Sequence, residues 1–290
     1  TVFSRAKDLL SERYSLYIFL LPAIILLLMV GVFPFGFNVY LSLNKFQPGS
    51  LHSEGFSGLT NFWKVINDKE FLNSFRITLF YMITCVAIEL VLGLALALLL
   101  NRNLKGKSII RTLLLLPMMI APAVAAYIFI YLYNPFIGVV GHYFHIHRAI
   151  LGSDLALSGI MFVDVWQWTP FMMLISLAAL QSLPVAPFEA ARIDGASGWQ
   201  ILRYITLPLI KPIVLIGILL RMIDAYKVFA YVAIMTEGGP GCSTRILSYH
   251  GYDVMFTNLQ WGQGGALSLI ILFTIILICT VYMKVLKVSI

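Results

Sequence analysis

Charged residues are scarce in this chain: Asp, Glu, Lys and Arg make up 11% of its 290 residues, whereas 60% of the residues are hydrophobic. A soluble globular domain carries about 25% charged residues, so the composition excludes an ordinary soluble domain and indicates a protein of the bilayer. The charges that are present sum to +7. Because the basic residues are spread over short loops and form no single stripe, they indicate membrane topology and no nucleic-acid partner.

Paired cysteines are also missing. Cys85 and Cys279 fall in apolar runs, and Cys242 falls in a loop. No two of these cysteines have the spacing of a metal-binding pair or of a disulfide framework. The cysteines therefore predict neither a metal site nor a disulfide-stabilised fold.

Nucleotide and metal sites are incomplete. The run Gly-Lys-Ser at 106–108 resembles the end of a phosphate-binding loop, but that pattern needs a glycine five residues earlier, where the chain has Asn101. His142, His145 and His147 share one loop with no carboxylate nearby to orient them, which favours exposed loop residues over metal ligands. The sequence thus predicts no ATPase activity, metal or cofactor of the chain's own.

What the chain does have is a series of apolar runs, each near the roughly 20 residues that cross a bilayer. They lie at about 17–43, 74–100, 109–133, 157–183, 212–235 and 264–287. They predict an all-α integral membrane protein with six transmembrane helices. The first run is too long for a signal-peptide core and lacks a convincing cleavage site, so we predict a retained span. Residues 1–15 form a separate N-terminal segment, and 16–290 form one transmembrane domain.

The distribution of Lys and Arg predicts how the six spans are oriented. The N-terminal segment, residues 101–111, residues 184–211 and the C-terminal tail together hold twelve of these residues, and the opposite loops hold six. Cytoplasmic loops carry the excess of basic residues. Both termini and the loop at 184–211 are therefore predicted to be cytoplasmic.

That loop contains the longest polar interruption in the second half of the chain. Pro184 and Pro187 stop the preceding helix, since proline lacks an N–H donor. A short helix is predicted over 188–193. Gly195 then allows a sharp reversal before a second, amphipathic helix at 199–205 that ends at Leu207-Pro208.

Within this loop, several residues have the spacing of a known motif. They are Glu189, Ala190, Ala191, Gly195, Ile205, Leu207 and Pro208, joined by Asp194 and Ala196. The pattern resembles the cytoplasmic coupling loop of permease subunits of ABC importers. The Asp-Gly-Ala at 194–196 resembles the form found in carbohydrate importers of the maltose-permease type, as do the segments 236–240 and 262–266.

The resemblance implies a fold, a function and partners. It implies the type I ABC importer permease fold, with the coupling helix between spans four and five, in a bacterial or archaeal cytoplasmic membrane. The chain would be a transport subunit and not an enzyme. Its partners would be a second homologous permease chain, two ATP-binding subunits that hold ATP and Mg, an extracytoplasmic solute-binding protein and membrane lipid.

Five ionisable residues fall within the apolar runs: Glu89, Asp164, Arg221, Asp224 and Lys227. Such groups are costly in a membrane and face a partner or an aqueous path. Arg221, Asp224 and Lys227 follow one another at i,i+3 steps, which predicts that Asp224 is shared between the two cations. A buried ion pair that locks this span and a contact to substrate both remain open. Small residues follow Glu89 at four-residue steps, which predicts a helix-packing face.

A substrate path is predicted on the fourth span, with weaker candidates on the fifth. Its residues are Asp164, Gln167, Trp168 and Phe171, followed by Tyr226, Phe229 and Tyr231. The first four share one helix face that mixes hydrogen-bonding groups with aromatic rings. Sugars need this combination, because hydroxyls require donors and acceptors while the ring faces stack on aromatics. An interfacial aromatic belt is the alternative.

The sequence most simply predicts a subunit of a carbohydrate importer, with an oligosaccharide as the substrate. Two other kinds of function are alternatives to this prediction. An ion-coupled secondary transporter could use Glu89 or Asp164 as its ion site, but the halves show no inverted repeat and a carrier needs no exposed cytoplasmic helix pair. A non-transporting assembly or receptor subunit would not need polar groups along spans four and five. Within the importer class, a non-sugar solute such as a glycerophosphodiester remains an alternative.

Overall fold

The chain is almost wholly helical in our computed structural model. The model describes residue 17 and residues 19–102, 105–139, 150–152 and 154–286. The N-terminal segment 1–15 and the histidines His142, His145 and His147 lie outside these residues. Among the described residues, five helices are long and apolar enough to cross a membrane, or six if a bent pair counts as one span.

In chain order the elements are α1 (Phe19–Leu43), β1 (Asn44–Phe46), β2 (Ser53–Phe56), α2 (Thr60–Ile66), α3 (Lys69–Leu100), α4 (Lys107–Met119), α5 (Pro122–Leu132), α6 (Ala156–Gln181), α7 (Ala186–Ile193), α8 (Gly198–Ile201), α9 (Leu207–Tyr226), α10 (Ala230–Met235), α11 (Leu247–Tyr252) and α12 (Trp261–Leu286). Single π turns occupy Leu28–Val32, Leu202–Thr206 and Asp253–Thr257, and a 3-10 turn occupies Ile150–Gly152. The strands β1 and β2 form a two-stranded antiparallel hairpin.

The chain divides into two compact units, of which the first comprises the described parts of Thr1–Ile66 and Asp253–Ile270. Here Asn61 donates from Nδ2 to the carbonyl oxygens of Ser42 and Asn44, each at 2.9 Å. Gly265 packs so closely on α1 that an added Cβ would lie 3.0 Å from the backbone nitrogen of Ser42. These contacts fix the end of α1 where the hairpin begins.

The second unit comprises the described parts of Asn67–Tyr252 and Ile271–Ile290, and its centre is the packing of α3 on α6. The packing face predicted from the small residues after Glu89 is confirmed. A Cβ on Gly93 would lie 2.7 Å from both Met172 Cβ and Met173 N, so the two helices approach backbone to backbone. Helix α9 packs on both of them.

The apolar run predicted at about 109–133 is helical but sharply bent. The helices α4 and α5 meet at an angle of 93° around Ile120 and Ala121. Pro122 is the cause, because a proline disfavours helical geometry at the residue before it, and Ala121 is extended with φ −64° and ψ 138°. The bend leaves the carbonyl of Ile120 without a helical partner, and the side chain of Gln167 supplies one.

The prediction that the second helix of the loop ends at Leu207-Pro208 is wrong: α8, the π turn and α9 run on continuously from Gly198 to Tyr226. In the π turn the N–H of Leu207 donates to the carbonyl of Leu202, and Pro208 follows as the second residue of α9. Near its other end, the candidate span Gly198–Met235 is interrupted between Tyr226 and Ala230, where α9 ends and α10 begins.

Candidate coupling loop and buried charge cluster

The short helix α7 ends in a tight turn that only a few residue types can form. Gly195 has φ +74°, a left-handed conformation that side chains disfavour. The N–H of Ala196 donates to the carbonyl of Ala191 at 2.9 Å, and the N–H of Gly195 donates to that of Arg192 at 3.1 Å. This pair of bonds is a Schellman motif, in which a glycine closes the helix and satisfies its last carbonyls.

The next helix begins at once, through a capping box. The hydroxyl of Ser197 accepts from the N–H of Gln200 at 3.4 Å, and the side-chain oxygen of Gln200 accepts from the N–H of Ser197 at 2.7 Å. Sequence reasoning missed these two residues, although Ser-x-x-Gln before a helix is the pattern that predicts such a box. The two helices are thus joined by a turn that is hydrogen-bonded on both sides.

The candidate coupling residues differ in exposure. Glu189, Ala190, Asp194, Gly195 and Pro208 are exposed, Ile205 and Leu207 are half-buried, and Ala191 is buried. Two apolar side chains beside them face outwards: Ile193 is 86% exposed and Trp199 is 67% exposed. Because exposed apolar and acidic side chains surround one rigid turn, this loop has the chemistry of a docking surface.

A second site lies deep inside the same unit, where α9 meets α3 and α6. Arg221 donates from Nε to Glu89 Oε2 at 2.7 Å and from Nη2 to Glu89 Oε1 at 2.9 Å. The same Nη2 also donates to Asp164 Oδ2 at 2.5 Å. All three side chains are at most 1% exposed. The two-pronged bond to Glu89 uses the planar fork of the guanidinium, which fixes direction as well as charge.

Asp224 is shared between the two cations, as its i,i+3 spacing predicts: its Oδ2 lies 3.5 Å from Arg221 Nη1, and its Oδ1 lies 3.6 Å from Lys227 Nζ. The side chains of Asp224 and Lys227 are 41% and 66% exposed, because α9 ends at Tyr226 and leaves Lys227 in the break. Solvent weakens these pairs, so Glu89 and Asp164 neutralise the buried guanidinium.

The residues predicted to line a path fall into two groups. Asp164, Gln167, Tyr226 and Tyr231 are buried. Gln167 donates from Nε2 to the carbonyl of Ile120 at 2.5 Å and accepts from the hydroxyl of Tyr231 at 2.7 Å, while Tyr226 bonds to Thr274. These side chains therefore stabilise the chain's own helices.

The aromatic members of the predicted path reach the surface. Trp168, Phe171 and Phe229 are partly exposed. The ring of Trp168 lies 5.2 Å from the guanidinium carbon of Arg221, within cation–π range, and meets Phe171 edge to face at 6.3 Å. A substrate contact at these three residues stays a prediction.

Known proteins resemble this chain over most of its length. Residues 89–288 match the family model described as "Binding-protein-dependent transport system inner membrane component". The trehalose transport system permease protein SugA of Mycobacterium tuberculosis is 34% identical over 284 residues, covering 98% of this chain and 92% of the relative. The sn-glycerol-3-phosphate transport system permease protein UgpA of Shigella flexneri is 30% identical over 286 residues, covering 97% of each chain.

A solved structure shares the fold. It is the crystal structure of a bacterial ABC transporter involved in the import of the acidic polysaccharide alginate. One of its chains matches with a TM-score of 0.83 and 20% identity, covering 98% of each chain. At that identity the likeness establishes the fold alone.

Proposed function

The chain belongs to the family of inner-membrane components of binding-protein-dependent transport systems, and from that premise we propose that it is one permease subunit of an ATP-driven carbohydrate importer. It is a transport component and not an enzyme. The permease SugA, 34% identical and named for trehalose, supports an oligosaccharide as the substrate. The similar permease named for glycerol-3-phosphate keeps a glycerophosphodiester open as the alternative.

We further propose six spans, with both termini in the cytoplasm. The bent pair α4 and α5 forms the third span, and the continuous helix from Gly198 through α9, together with α10, forms the fifth. The excess of Lys and Arg in the N-terminal segment, residues 101–111, residues 184–211 and the tail supports this orientation.

The loop around α7 is proposed to dock into an ATP-binding subunit. Its support is the exposed Glu189, the exposed apolar side chains of Ile193 and Trp199, and a turn at Gly195 that is hydrogen-bonded on both sides. The partners are then two ATP-binding subunits, which hold ATP and Mg, a second homologous permease and a solute-binding protein outside the membrane. We propose no nucleotide or metal ligand for this chain itself.

In the proposed cycle, ATP binding closes the two ATP-binding subunits and moves α7 as a rigid body. The helix that begins at Gly198 continues without a break to Arg221. A displacement at the loop is therefore carried along about 35 Å of helix, at 1.5 Å per residue, to the cluster that joins α9 to α3 and α6.

The substrate path is proposed to touch the partly exposed aromatic residues Trp168, Phe171 and Phe229. Their rings offer stacking surfaces for the apolar faces of a sugar, and the Arg221 cluster behind Trp168 holds that ring in place. We expect Trp168→Ala to lower uptake while the complex still assembles. Unchanged uptake with saturating binding protein would contradict this path.

Uptake in sealed vesicles tests the proposed function. Vesicles that contain the assembled transporter should accumulate radiolabelled trehalose or a longer oligosaccharide only when ATP is supplied at the cytoplasmic face and loaded binding protein at the other. An ionophore that collapses proton and sodium gradients should leave the rate unchanged. Loss of uptake with the ionophore would instead support the ion-coupled carrier. Uptake of a glycerophosphodiester but of no sugar would contradict the proposed carbohydrate substrate, while the proposed ATP-driven mechanism would still stand.

A further inference from the structure

An open groove runs between α3 and the continuous α8–α9 helix. It includes Leu207 and Pro208 of the candidate coupling residues, but neither the turn at Gly195 nor the charge cluster. It encloses about 480 Å³, which lies within the roughly 300–1,000 Å³ typical of ligand pockets. Most of its wall is aliphatic, with Leu90 and Leu94 on one side and Leu207, Val214, Leu215 and Ile218 on the other. An apolar groove of this size favours a hydrocarbon ligand.

Two cations complete the lining. Arg203 and Lys211 are exposed and lie on the α8–α9 side of the groove, and no carboxylate appears among its described lining residues. Within the described part of the chain neither cation forms a salt bridge; Arg203 only approaches the ring of Tyr204, at 5.8 Å from the centroid. Two unpaired positive charges beside an apolar wall favour a ligand that carries a negative charge.

The cations and the apolar wall are arranged along the helix in order. Arg203 and Lys211 are eight residues apart, about 12 Å along the axis. Because helical side chains lean towards the N-terminus, the Lys211 side chain leans towards Arg203. From Val214 to Ile218 the lining is wholly apolar. Both cations therefore lie towards one end of the groove, beside the apolar Leu207, Pro208 and Ile210, and the other end is wholly apolar, which is the pattern of an amphiphile.

The surface beside the groove indicates where such a ligand would come from. Leu209, Ile213 and Ile216, on the same helix, are each about 40% exposed. Exposed aliphatic side chains along a membrane-spanning helix contact lipid tails. A ligand of the groove can therefore enter sideways from the bilayer without crossing water.

We propose that this groove binds one anionic phospholipid, with an acyl chain between α3 and α9 and the phosphate at Arg203 and Lys211. Basic pockets between membrane helices recognise lipid headgroups in this way. This proposal requires that the chain lies in a membrane, but it depends neither on the transported substrate nor on the transport cycle. Zwitterionic phospholipids lack the net charge that the two cations require, so they bind less well.

Native mass spectrometry of the complete transporter, purified with its partner subunits, tests the site. Phosphatidylglycerol and phosphatidylcholine are added in equal amounts, and retained lipid is counted. We expect retention of phosphatidylglycerol to fall at least fivefold in the double variant Arg203→Gln/Lys211→Gln. The matched control Arg102→Gln/Lys105→Gln removes the same charge from a loop outside the groove and should retain the lipid as the unaltered protein does.

A second pair of variants tests the apolar half. Leu94→Trp fills the groove from α3, whereas Val91→Trp adds the same bulk at a position that is 66% exposed outside it. Only Leu94→Trp should lower retention of phosphatidylglycerol. The proposal would be overturned if the unaltered transporter retained the two lipids equally, or if each control variant lost as much phosphatidylglycerol as its matched groove variant. Retained lipid is measured without transport, so a failure here is separate from a failure of the proposed function.

Discussion

The candidate coupling loop and the buried charge cluster are stabilised in opposite ways. In the loop, each defining hydrogen bond joins residues at most five positions apart, as from Ala196 to Ala191 or between Ser197 and Gln200. In the cluster, Arg221 bonds to partners 132 and 57 positions away. The loop leaves most of its candidate coupling residues exposed, whereas the cluster leaves none of its three principal side chains at the surface.

This difference matches two distinct roles that we propose within one helical unit. The loop keeps its shape without help from the rest of the chain, so its exposed side chains are free to serve a partner protein. The cluster joins three helices, so the loss of any one of its side chains affects the packing of all three. Substitutions in the cluster should therefore act on stability, and substitutions in the loop should act on the response to the ATP-binding subunits.

The largest effect is expected for Arg221→Met. It leaves the carboxylates of Glu89 and Asp164 buried without a cation, and breaking a buried pair costs roughly 3–5 kcal/mol. We expect a strong loss of folded complex, measured by thermal unfolding and size-exclusion chromatography. Adding Glu89→Gln and Asp164→Asn to this variant should restore part of the stability, because no buried charge then lacks a partner.

Asp224→Ala is the matched control, since it removes a carboxylate from the same helix. Its side chain is 41% exposed and 3.5 Å from Arg221, so the loss should stay below about 1 kcal/mol. If Asp224→Ala destabilised the complex as much as Arg221→Met, Glu89 and Asp164 would not be the principal counter-charges of Arg221.

An intermediate effect is expected for Gly195→Val, now on coupling. At φ +74° a side chain costs about 1–2 kcal/mol, and no atom lies within 4 Å of an added Cβ. The cost is therefore conformational and should change the angle between α7 and the next helix. We expect uptake to fall at least tenfold while the thermal midpoint of the complex changes by only a few degrees.

Gly195→Asn distinguishes backbone conformation from bulk, because asparagine tolerates the left-handed region. It should keep most of the uptake that Gly195→Val loses, with ATPase stimulation by loaded binding protein measured in the same liposomes. Equal losses in the two variants would mean that the surface at Gly195 matters and not its φ angle.

The smallest effect on stability is expected for Glu189→Gln. Glu189 is exposed in the first turn of α7, so its substitution does not alter the interior. The free energy of unfolding should therefore change by no more than about 0.5 kcal/mol. ATPase stimulation by binding protein should nevertheless fall several-fold, because the carboxylate is proposed to meet a basic group on the ATP-binding subunit. A change in stability without a change in stimulation would contradict the assignment.

The loop could be predicted largely from sequence because its structure is local. The glycine at 195 and the prolines at 184 and 187 marked the end of one helix and the start of the next, and the prediction that failed was the stop at Pro208. Proline removes a helical hydrogen bond, but the π turn before it lets the helix continue. Motif spacing carries no sign of such a turn.

The charge cluster could be predicted only as a set of residues. The i,i+3 spacing favoured Asp224 as the partner of Arg221, since sequence reasoning has only local neighbours to compare. Which residues meet across α3, α6 and α9 depends on how these helices pack, and the close approach at Gly93 sets that packing. The pairing of Arg221 with Glu89 and Asp164 therefore requires a structure.

The bend between α4 and α5 has a consequence for how the chain is made. The two helices have 13 and 11 residues, which at 1.5 Å per residue gives about 20 Å and 17 Å, each short of the roughly 30 Å hydrocarbon layer. The carbonyl at their junction is satisfied by Gln167, which in turn accepts from Tyr231. Both residues leave the ribosome later than the bend. During biosynthesis the bend can therefore gain these two hydrogen bonds only after residues 167 and 231 have been translated.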